Sequence, residues 1–490
     1  TIVCYTLSMI GKYNIEIGPK EFLDGMTSSP ETDDGGFSPQ SSGVNIISNA
    51  TTTGVLYSAA DITDKTGSLN GFIIASCEDS ALTNTKQRVF VTNTGYVYYV
   101  DNTYAITNTV NDAGRTYSST NTDIISYKNK IYVTSQTDIM LLTTVTTPYD
   151  TKDATWWSTT KAQGAMATYS KHPMVVYEDI LWIADGNKLH KWDDTTLTNG
   201  FITLPTDQVI YAMAVDPSTG LLMLSVSLGE NANNNLPKNG RILFFDGYST
   251  KIRRAVPVDT LVTALYPMGG NMFMFYGRNF GYWTGSGISF LRKLKRVTED
   301  IYLLVTKHKI TNIGNILYFA DGFDIVAYGE TTSGNKKFFM AKQIGEETSS
   351  YLRYAIFHCG NNYLGIGYGA SSTAKFAVYD VTARTAGAFN FYSKKYNFPR
   401  PVYIRELHIE YLDQLAASAT SGVVTIYDQD FNAIATPSLT NDGSSGVYSI
   451  TRTITSNRKI RSLQMYYTNS SYSSTIAGIR RFNINYDVVE

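Results

Sequence analysis

Histidine and cysteine are the residue types of this sequence best suited to metal binding, nucleophilic attack or proton transfer, but their spacing is unfavourable. They are His172, His190, His308, His358 and His408, with Cys4, Cys77 and Cys359. No two of them form the His-x-His, His-Glu-x-x-His or Cys-x-x-Cys spacing that places two ligands on one metal. His190 alone lies in a well-formed repeat, where its alternation with Leu189 favours a surface position on a strand.

Two further segments begin like ligand-binding motifs and do not complete them. Asp428–Asn432, with the sequence DQDFN, matches the first half of a calcium loop, but Ala433 and Leu439 stand where such a loop needs glycine and glutamate. An Asp-rich hairpin turn accounts for this segment. Gly365–Ala370, with the sequence GIGYGA, lacks the offset of a phosphate-binding loop, and glycines inside a strand more often allow close backbone approach. We therefore predict no catalytic residue, no metal ligand, no cofactor and no enzymatic activity.

The strongest basic cluster is LRKLKR, Leu291–Arg296. On a strand, Arg292 and Leu294 share one face while Lys293 and Lys295 share the other. Such a charged strand is typical of a solvated edge that discourages sheet-to-sheet aggregation, and contact with a phosphate or a partner protein is the alternative. The candidate partner contacts combine this cluster with two residues near the N-terminus, and they are Lys20, Phe37, Arg292, Lys293, Lys295 and Arg296.

The composition indicates a β-rich globular chain. Of the 490 residues, 43% are hydrophobic, 13% are aromatic and only 17% are charged, and 36 are tyrosine. This composition favours half-buried strands and polar turns over helices. The net charge of −1 removes any global electrostatic argument for binding nucleic acid or a membrane surface. No window reaches the roughly 18 uninterrupted apolar residues of a membrane-spanning helix, and the N-terminal residues lack the cationic start of a signal peptide.

One pattern recurs seven times, and it consists of an apolar strand, a turn rich in Asp, Asn or Gly, and a second strand. The clearest copy is VVYEDILWIADGNKLHKWDD, Val175–Asp194. The others are Gln87–Val100, Tyr127–Thr143, Gly240–Ile252, Gly269–Gly285, Ile313–Gly329 and Asn361–Asp380. Their central turns are on average about 46 residues apart, which is the length of a four-stranded propeller blade. We therefore predict an all-β fold with a β-propeller of six or seven blades over residues 51–398. A series of β-sandwiches or a β-solenoid is the alternative that the irregular spacing leaves open.

The two ends of the chain do not follow the repeat. Residues 1–50 are predicted to form an extended arm, because Gly18–Gly43 is too poor in apolar residues to fold alone, and a flexible tail is the alternative. Gly43–Asn49 and Thr53–Ile62 are strand-like and are candidates for the strand that closes the propeller ring. Residues 399–490 begin within the proline-containing segment YNFPRPV and alternate with period two, which predicts a C-terminal antiparallel β-sandwich.

Taken together, these segments resemble structural proteins of tailed-bacteriophage virions, of the propeller-bearing tail or nozzle type. The resemblance rests on the Gly/Ser-rich segment DDGGFSPQSSGVNIIS, on blades such as LWIADGNKLHKW, and on the ending IRRFNINYD. It implies a non-enzymatic subunit of the virion tail that contacts other tail proteins and forms a homo-oligomeric ring, with six copies favoured. DNA would be met only by passage through a channel. The resemblance carries no catalytic residue across.

A glycan-binding or glycan-cleaving propeller, secreted or on a cell surface, is the competing function. Propellers have a central pocket suited to either activity, although fold alone does not decide function. The aromatic content would supply faces for sugar stacking, and the residues to examine are Trp156, Trp157, Trp182, Trp192 and Trp283.

Overall fold

The computed structural model of the chain divides into two compact units. The larger unit comprises residues 62–323 and 347–379, and the smaller unit comprises residues 1–61, 324–346 and 380–490. The residues that the structure describes are 12–17, 37–38, 58–59, 63–65, 69–78, 88–101, 103–112, 114–118, 122–144, 149–168, 171–228, 239–294, 306–321, 324–330, 336–343, 355–369, 374–381, 384–385, 389–415, 420–440, 447–469 and 479–489.

Seven four-stranded sheets follow one another along the chain and form a seven-bladed β-propeller. Blade 1 consists of Ile73–Glu78, Arg88–Thr92, Tyr96–Val100 and Ile106–Asn111. Blade 2 consists of Ile124–Tyr127, Lys130–Thr134, Ile139–Thr143 and Thr151–Asp153. Blade 3 consists of Met174–Tyr177, Ile180–Asp185, Lys188–Trp192 and Leu197–Thr203. Blade 4 consists of Gln208–Val215, Leu222–Leu228, Gly240–Phe245 and Arg254–Val258.

The remaining three blades have the same order of strands. Blade 5 consists of Val262–Met268, Asn271–Tyr276, Asn279–Trp283 and Ile288–Lys293. Blade 6 consists of Ile310–Ile313, Ile316–Asp321, Asp324–Glu330 and Lys336–Gln343. Blade 7 consists of Ala355–His358, Tyr363–Tyr368, Lys375–Asp380 and Thr63–Asp64.

Tight turns create the hairpins because their residues accept a left-handed backbone. In blade 3, Glu178 and Asp179 have φ of 52° and 57°, and Gly186 in the next turn has φ of 59°. Positive φ at both central residues matches the right-handed twist of the flanking strands. The antiparallel register then follows directly, with Tyr177 opposite Ile180. The turns that the sequence predicted in this segment are therefore confirmed.

Each of the seven predicted sequence units lies in a different blade, and the unit of blade 4 is displaced by one strand relative to the others. In blade 4 the Asp-Gly turn at Gly247 follows the third strand, whereas in the other blades the two strands of the matched unit are the second and third strands. The second and third strands of blade 4 are instead joined by residues 229–239. The centre of that connection is 48 residues after Gly186 and 47 before Gly281. The longest and the shortest interval therefore came from one misaligned unit.

The core of the propeller consists of side chains that pack between neighbouring blades, so both faces of the central strands are buried. Trp182 of blade 3 is fully buried, and its ring meets Phe245 of blade 4 edge-on at 5.1 Å between centroids. The adjacent strand residues Leu181 and Ile183 are also fully buried and pack on the other face, in the cluster shared with blade 2. Burying one such large apolar side chain stabilises the fold by about 1.5–3 kcal/mol.

The propeller ring is closed by a short N-terminal strand. Thr63 and Asp64 pair with Val378 and Ala377 as the fourth strand of blade 7. One further backbone hydrogen bond extends this contact, since the Lys65 amide donates to the Phe376 carbonyl at 2.9 Å. Closure by an N-terminal segment was expected, but the closing strand lies outside both predicted segments. Thr53–Ile62 ends just before this strand, and Gly43–Asn49 lies outside the described residues.

The smaller unit contains one connected sheet of ten strands with a single hydrophobic core. Its strands are Lys12–Ile17, Phe37–Ser38, Phe389–Ser393, Tyr396–Leu415, Thr420–Tyr427, Ala433–Ala435, Ser438–Thr440, Val447–Thr453, Ile460–Asn469 and Ile479–Val488. The 20-residue strand Tyr396–Leu415 pairs first with Ile460–Asn469, and then with Val447–Thr453 and Ile479–Val488. The predicted two-sheet sandwich is not confirmed by this pairing. A separate two-stranded ladder joins Ser58–Ala59 to Arg384–Thr385.

Helix is scarce in the described residues. A π-helix spans Trp156–Thr160 and a 3₁₀ helix spans Lys307–Lys309. The first is held by the buried Asp138 carboxylate, which accepts the amides of Trp157 and Ser158 at 3.2 Å each. Within the described ranges, neither helix has the length and hydropathy to cross a membrane.

Candidate functional site

The first strand of every blade faces a central cavity of about 610 Å³ in the larger unit. Its wall combines apolar and polar surface in similar amounts. Blades 2 to 7 contribute the apolar residues Ile124, Met174, Met213, Leu265, Ile310 and Phe357. Blade 1 contributes Ser76, Cys77 and Glu78. The volume of this cavity lies in the range of sites for small ligands. The central cavity is therefore the first place to search for function.

A cluster of charged residues spans the propeller axis at one end of this cavity. The Asp123 carboxylate lies 2.5 Å from the Lys307 ammonium and 2.9 Å from Nε2 of His308. Asp123 precedes the inner strand of blade 2, and the other two residues precede that of blade 6. Because blades 2 and 6 are not neighbours in the ring, this contact crosses the axis. We call these three residues the Asp123 clasp.

The proton on His308 can be assigned from its neighbours. The Asp123 carboxylate can only accept, so Nε2 of His308 carries a proton and donates it to Asp123 at 2.9 Å. Nδ1 lies 3.3 Å from the Ser76 amide nitrogen and 3.2 Å from the Ser76 carbonyl oxygen. Burial also lowers the pKa of His308, against the opposing effect of Asp123. The ring is accordingly neutral, and its contact with Asp123 is a hydrogen bond rather than an ion pair.

Contacts within the fold occupy the acceptor positions of the Asp123 carboxylate. Besides the clasp contacts, it accepts the Ile124 amide and the Met174 amide at 2.7 Å each, so blade 3 is also attached to it. Burial acts to raise the pKa of this carboxyl, but Lys307 and His308 outweigh burial and hold the pKa well below its usual range. A carboxylate with all these partners stays ionised and serves as a structural link. It is unsuited to accepting a proton in catalysis.

A small recess lies beside the clasp, with a volume of about 20 Å³. Its surface is mostly apolar, and its lining includes Pro173, Ala212, Met213, Ala264 and Leu265 together with Asp123, Lys171, Tyr211 and Lys307. The Lys171 ammonium lies 4.8 Å from the centre of the Tyr211 ring. Burial lowers the pKa of Lys171 to about 8, and the charges of Lys307 and Lys309 act in the same direction while Asp123 opposes them. We call this feature the Lys171 recess.

The opposite end of the central cavity is bordered by polar groups that bond to one another. Arg88 forms an ion pair with Glu78 at 3.3 Å and also donates to the His358 carbonyl. The Tyr266 hydroxyl donates to Asn312 at 2.9 Å. These pairs satisfy one another, so they provide polar edges rather than a reactive group.

The predicted partner contacts are separated in the structure. Arg292 and Lys293 lie on the outermost strand of blade 5, Ile288–Lys293, with Arg292 half-buried and Lys293 exposed. Phe37 lies in a two-residue strand opposite Ser393 in the smaller unit. The other three predicted contacts, Lys20, Lys295 and Arg296, lie outside the described residues.

The tryptophans considered for sugar stacking are core residues. All five are between 0% and 6% exposed, and they are Trp156, Trp157, Trp182, Trp192 and Trp283. Their rings pack against other aromatic side chains; for example, Trp156 meets Trp192 edge-on at 5.3 Å. The expectation that they supply faces for sugar stacking is therefore wrong, because blade-to-blade packing covers the faces that a sugar would need.

The surface position predicted for His190 is also wrong. His190 is 2% exposed, and its ring meets Trp157 edge-on at 4.8 Å. Its Nδ1 accepts the Gly200 amide at 3.1 Å, and burial lowers its pKa to about 4. Alternation of polar and apolar residues marks an exposed strand face only in a sheet that has one face on the core and the other in water. In a propeller the neighbouring blade covers it.

The glycine and aspartate motifs have the structural roles that the sequence favoured. A Cβ on Gly365 would lie 2.4 Å from the Phe357 side chain and 2.5 Å from Cys359 Sγ, so close packing requires glycine here. In the DQDFN hairpin, Asp428 accepts the amides of Asp430 at 2.9 Å and Asn432 at 2.8 Å. Such contacts are those of an Asx turn.

Sequence reasoning missed the Asp123 clasp and the Lys171 recess. The only local signal is the basic triplet Lys307–Lys309 just before an inner strand. Asp123 and His308 are 185 positions apart, and nothing in the sequence indicates that the ring brings them together. Knowing the seven blades in advance would place both residues at the same end of the axis.

Comparison with known proteins gives only a fold-level likeness. No protein-family model and no curated protein matches the chain. Among solved structures, the WD40 domain of Neurospora crassa Pan2 has a TM-score of 0.40 and 7% identity, covering 64% of this chain and 90% of that one. YCF48 from Cyanidioschyzon merolae has a TM-score of 0.43 and 8% identity, covering 66% of this chain and 100% of that one. An extracellular domain of a two-component system from B. thetaiotaomicron has a TM-score of 0.44 and 12% identity, and the match covers 76% of this chain and 48% of that one.

Proposed function

We propose that the chain is a structural, non-enzymatic subunit of a bacteriophage tail assembly, where it makes protein–protein contacts in a symmetric ring. The observation that carries the non-enzymatic part is the Asp123 clasp. The ionisable groups that reach the propeller axis there bind one another and the backbone, so they hold blades together instead of facing a substrate. The placement in a phage tail rests on the sequence resemblance.

The outer strand of blade 5 supports an interface. Phe290 is 57% exposed there, and it lies beside the predicted contacts Arg292 and Lys293. Exposed aromatic and arginine side chains are the types enriched at the centre of protein interfaces. The strand is also the last of its sheet, and among the described residues no further strand pairs with its outer side. We call this strand, Ile288–Lys293, the blade 5 edge.

The proposal has a consequence for nucleic acid. The Asp123 clasp crosses the axis of the propeller, so DNA does not pass through the channel of a single subunit. Any passage of DNA would use the central opening of a ring of subunits. In that arrangement the heterologous contacts of identical subunits close the ring, with six copies favoured by the resemblance.

The test compares two exposed aromatic residues on different blades. Phe290→Ser on the blade 5 edge is matched by Tyr248→Ser in blade 4, where Tyr248 is 76% exposed. Native mass spectrometry and negative-stain microscopy measure the assembly of the purified chain and of each variant. We expect rings from the wild type and from Tyr248→Ser, and monomers from Phe290→Ser. A wild-type chain that stays monomeric at all concentrations and in the presence of tail proteins contradicts the proposal.

Glycan binding is a second candidate function because of one observation in the smaller unit. The rings of Tyr427 and Phe431 stack at 4.4 Å with an interplanar angle of 5°, and Phe431 is 55% exposed. Tyr392 lies against both rings. Exposed, preformed aromatic surfaces of this kind suit sugar rings as well as protein partners. Binding on a glycan array that Phe431→Ala abolishes would favour this function over assembly.

A further inference from the structure

We infer that the central cavity is a binding site for a neutral sugar ring. The cavity has a volume of about 610 Å³, is lined by residues of all seven blades, and lies entirely within the larger unit. The proposed assembly uses the blade 5 edge, so a ligand in the cavity is a function beyond it. The inference also gives the second candidate function a site separate from Phe431.

The first argument is the shape of the cavity. The Asp123 clasp crosses the axis at one end, and the opposite end is bordered by Arg88, Tyr266 and Asn312. A cavity obstructed at one end accepts a small molecule or the end of a chain, whereas a chain that threads through is excluded. The volume lies within the roughly 300–1,000 Å³ that is typical of small-ligand sites.

The second argument is that the charges of the lining are paired. The lysine, arginine and acidic residues of the lining are Glu78, Arg88 and Lys307. Arg88 lies 3.3 Å from Glu78, and Lys307 lies 2.5 Å from Asp123. An ionic ligand would have to enter the cavity without a counter-charge or break one of these pairs, and either event costs free energy. The lining therefore favours a neutral ligand.

The third argument is the difference between the two sides of the wall. Blades 2, 3 and 4 contribute only apolar residues, among them Ile125 and Val215. On the remaining side, neutral polar residues such as Tyr266, Thr311 and Asn312 stand among apolar ones. The Tyr266 hydroxyl donates to Asn312 at 2.9 Å, so these two groups are held in fixed orientations. A sugar ring has the same division, because it has an apolar face of C–H groups and hydroxyls around its edge.

The fourth argument is the backbone at the inner edge of the blades. In the described part of the chain, the first strand of each blade pairs with the second strand alone, so its other edge faces the cavity. An unpaired strand edge presents both amide donors and carbonyl acceptors. The Met174 carbonyl accepts the Lys307 ammonium at 3.0 Å, which shows that a polar group near the axis can reach this edge. Hydroxyl groups both donate and accept, so they complement such an edge better than groups of one kind.

The test is saturation-transfer NMR on the full-length chain, with methyl glycosides of several neutral hexoses as the probes. Two reference ligands are matched to the hexose that binds best: its uronic acid adds one charge, and cyclohexanol keeps the ring size but only one hydroxyl. We expect at least one neutral glycoside to bind, and both reference ligands to bind about tenfold more weakly or worse. Saturation should be strongest for the protons on one face of the sugar ring, because that face lies on the apolar wall of blades 2 to 4.

Substitutions test whether the sugar lies in the cavity. Tyr266→Phe removes one hydroxyl at the open end and should raise the Kd about three- to tenfold, the value of one hydrogen bond. Asn312→Ala at the same end is the second variant, with the same expected direction. Tyr248→Phe, exposed in blade 4, and Phe431→Ala, in the smaller unit, are the controls and should leave the Kd unchanged. An oligosaccharide that ends in the same sugar separates the two sources, because it binds if the cavity holds a chain end and fails to bind if the cavity holds only a free sugar.

Three results overturn the inference. They are a panel in which no glycoside binds, a uronic acid that binds as tightly as its neutral parent, and binding that Phe431→Ala abolishes while Tyr266→Phe and Asn312→Ala leave it unchanged. The last result would leave glycan binding in place at the other site. Native mass spectrometry measures the assembly without any sugar, so failure of the proposed assembly and failure of the sugar site are distinguished.

Discussion

Replacing Asp123 by asparagine tests whether the Asp123 clasp holds the propeller together. The substitution keeps the shape of the side chain but removes the charge that Lys307 and His308 contact. Removing one partner of a buried ion pair costs about 3–5 kcal/mol. Because the Lys307 side chain keeps 31% exposure and can recover part of its hydration, we expect the lower part of that range, about 3–4 kcal/mol.

The expected change in melting temperature follows from the size of the larger unit. Roughly 300 residues at about 2.1 cal/mol/K each give an unfolding entropy of about 0.6 kcal/mol/K. A loss of about 3–4 kcal/mol therefore lowers the melting temperature of this unit by ~5–6 °C. Differential scanning calorimetry resolves such a shift, and it separates the transition of the larger unit from that of the smaller one if the two unfold independently.

The matched control is Asp179→Asn. The Asp179 carboxylate is 2.7 Å from the Lys128 ammonium, so the pair has the same chemistry, but the Asp179 side chain is 79% exposed. An exposed ion pair contributes little, because water and salt screen it. The melting temperature of this variant should therefore stay close to that of the wild type. Equal effects of the two substitutions would refute the reasoning, since burial across the axis would then add nothing.

The stability difference between the wild type and Asp123→Asn should also depend on pH. The folded-state pKa of Asp123 is below its unfolded value of 3.8, so its stabilising contribution is present above about pH 4 and is lost as the pH falls through the folded value. The difference in melting temperature between wild type and Asp123→Asn should shrink below about pH 4. A difference that stays constant down to pH 2 would mean that the carboxylate is not held ionised by its partners.

The remaining predictions concern closure, packing, metals and assembly. Deleting residues 1–62 should leave the melting temperature of the larger unit nearly unchanged, whereas deleting residues 1–69 should lower it, because only the longer deletion removes the strand that closes blade 7. Gly365→Ala should cost about 1–3 kcal/mol through overpacking, measured by denaturant unfolding, while Gly287→Ala, with open space around its Cβ, is the near-neutral control. Treatment with EDTA should not change the melting temperature, and a fall that calcium restores would contradict this. Cross-linking mass spectrometry of intact particles should find links from Lys20 to another subunit, and links only within its own chain would refute the predicted arm.

The blades could be predicted because each is specified locally. A hairpin needs only an apolar strand, a turn that accepts positive φ and a second strand, and all three lie within about 20 residues. Blade 4 shows the limit of this signal. Its second and third strands are separated by residues 229–239, which carry no short turn motif, so the visible Asp-Gly turn at Gly247 was matched to the wrong hairpin. The number of predicted units was still seven, because every blade contains at least one turn with a positive-φ residue.

The burial of His190 and of the tryptophans could not be predicted from alternation. Period two distinguishes the two faces of a strand, but it does not tell what covers each face. In this propeller, Leu181 and Trp182 are adjacent on one strand and both are fully buried, each against a different neighbouring blade. Which faces are covered is decided by the ring, so the information lies in residues far away along the chain.

The prolines of YNFPRPV were assigned to a boundary, and the structure places them inside the longest strand, Tyr396–Leu415. Proline lacks the amide that a ladder needs, so it interrupts pairing without ending the extended backbone. The register shifts between Asn397 and Val402, the span that contains both prolines. After it, the strand pairs with Ile479–Val488 as well. Here proline marks a change of partner strand within one continuous element.

The Asp123 clasp shows why a charged group is suited to the axis of a seven-bladed ring. The cavity that the inner strands enclose is about 610 Å³, too wide for the short apolar side chains of facing blades to fill it. Lysine and histidine are long enough to reach across, and a carboxylate can accept several donors from different directions. Asp123 in this way joins blade 2, blade 3 and the segment before blade 6 at one point. An apolar contact would stabilise as well, but it would not select which blades meet, because hydrophobic contacts are not directional. We interpret the clasp as the element that fixes the relative positions of non-neighbouring blades.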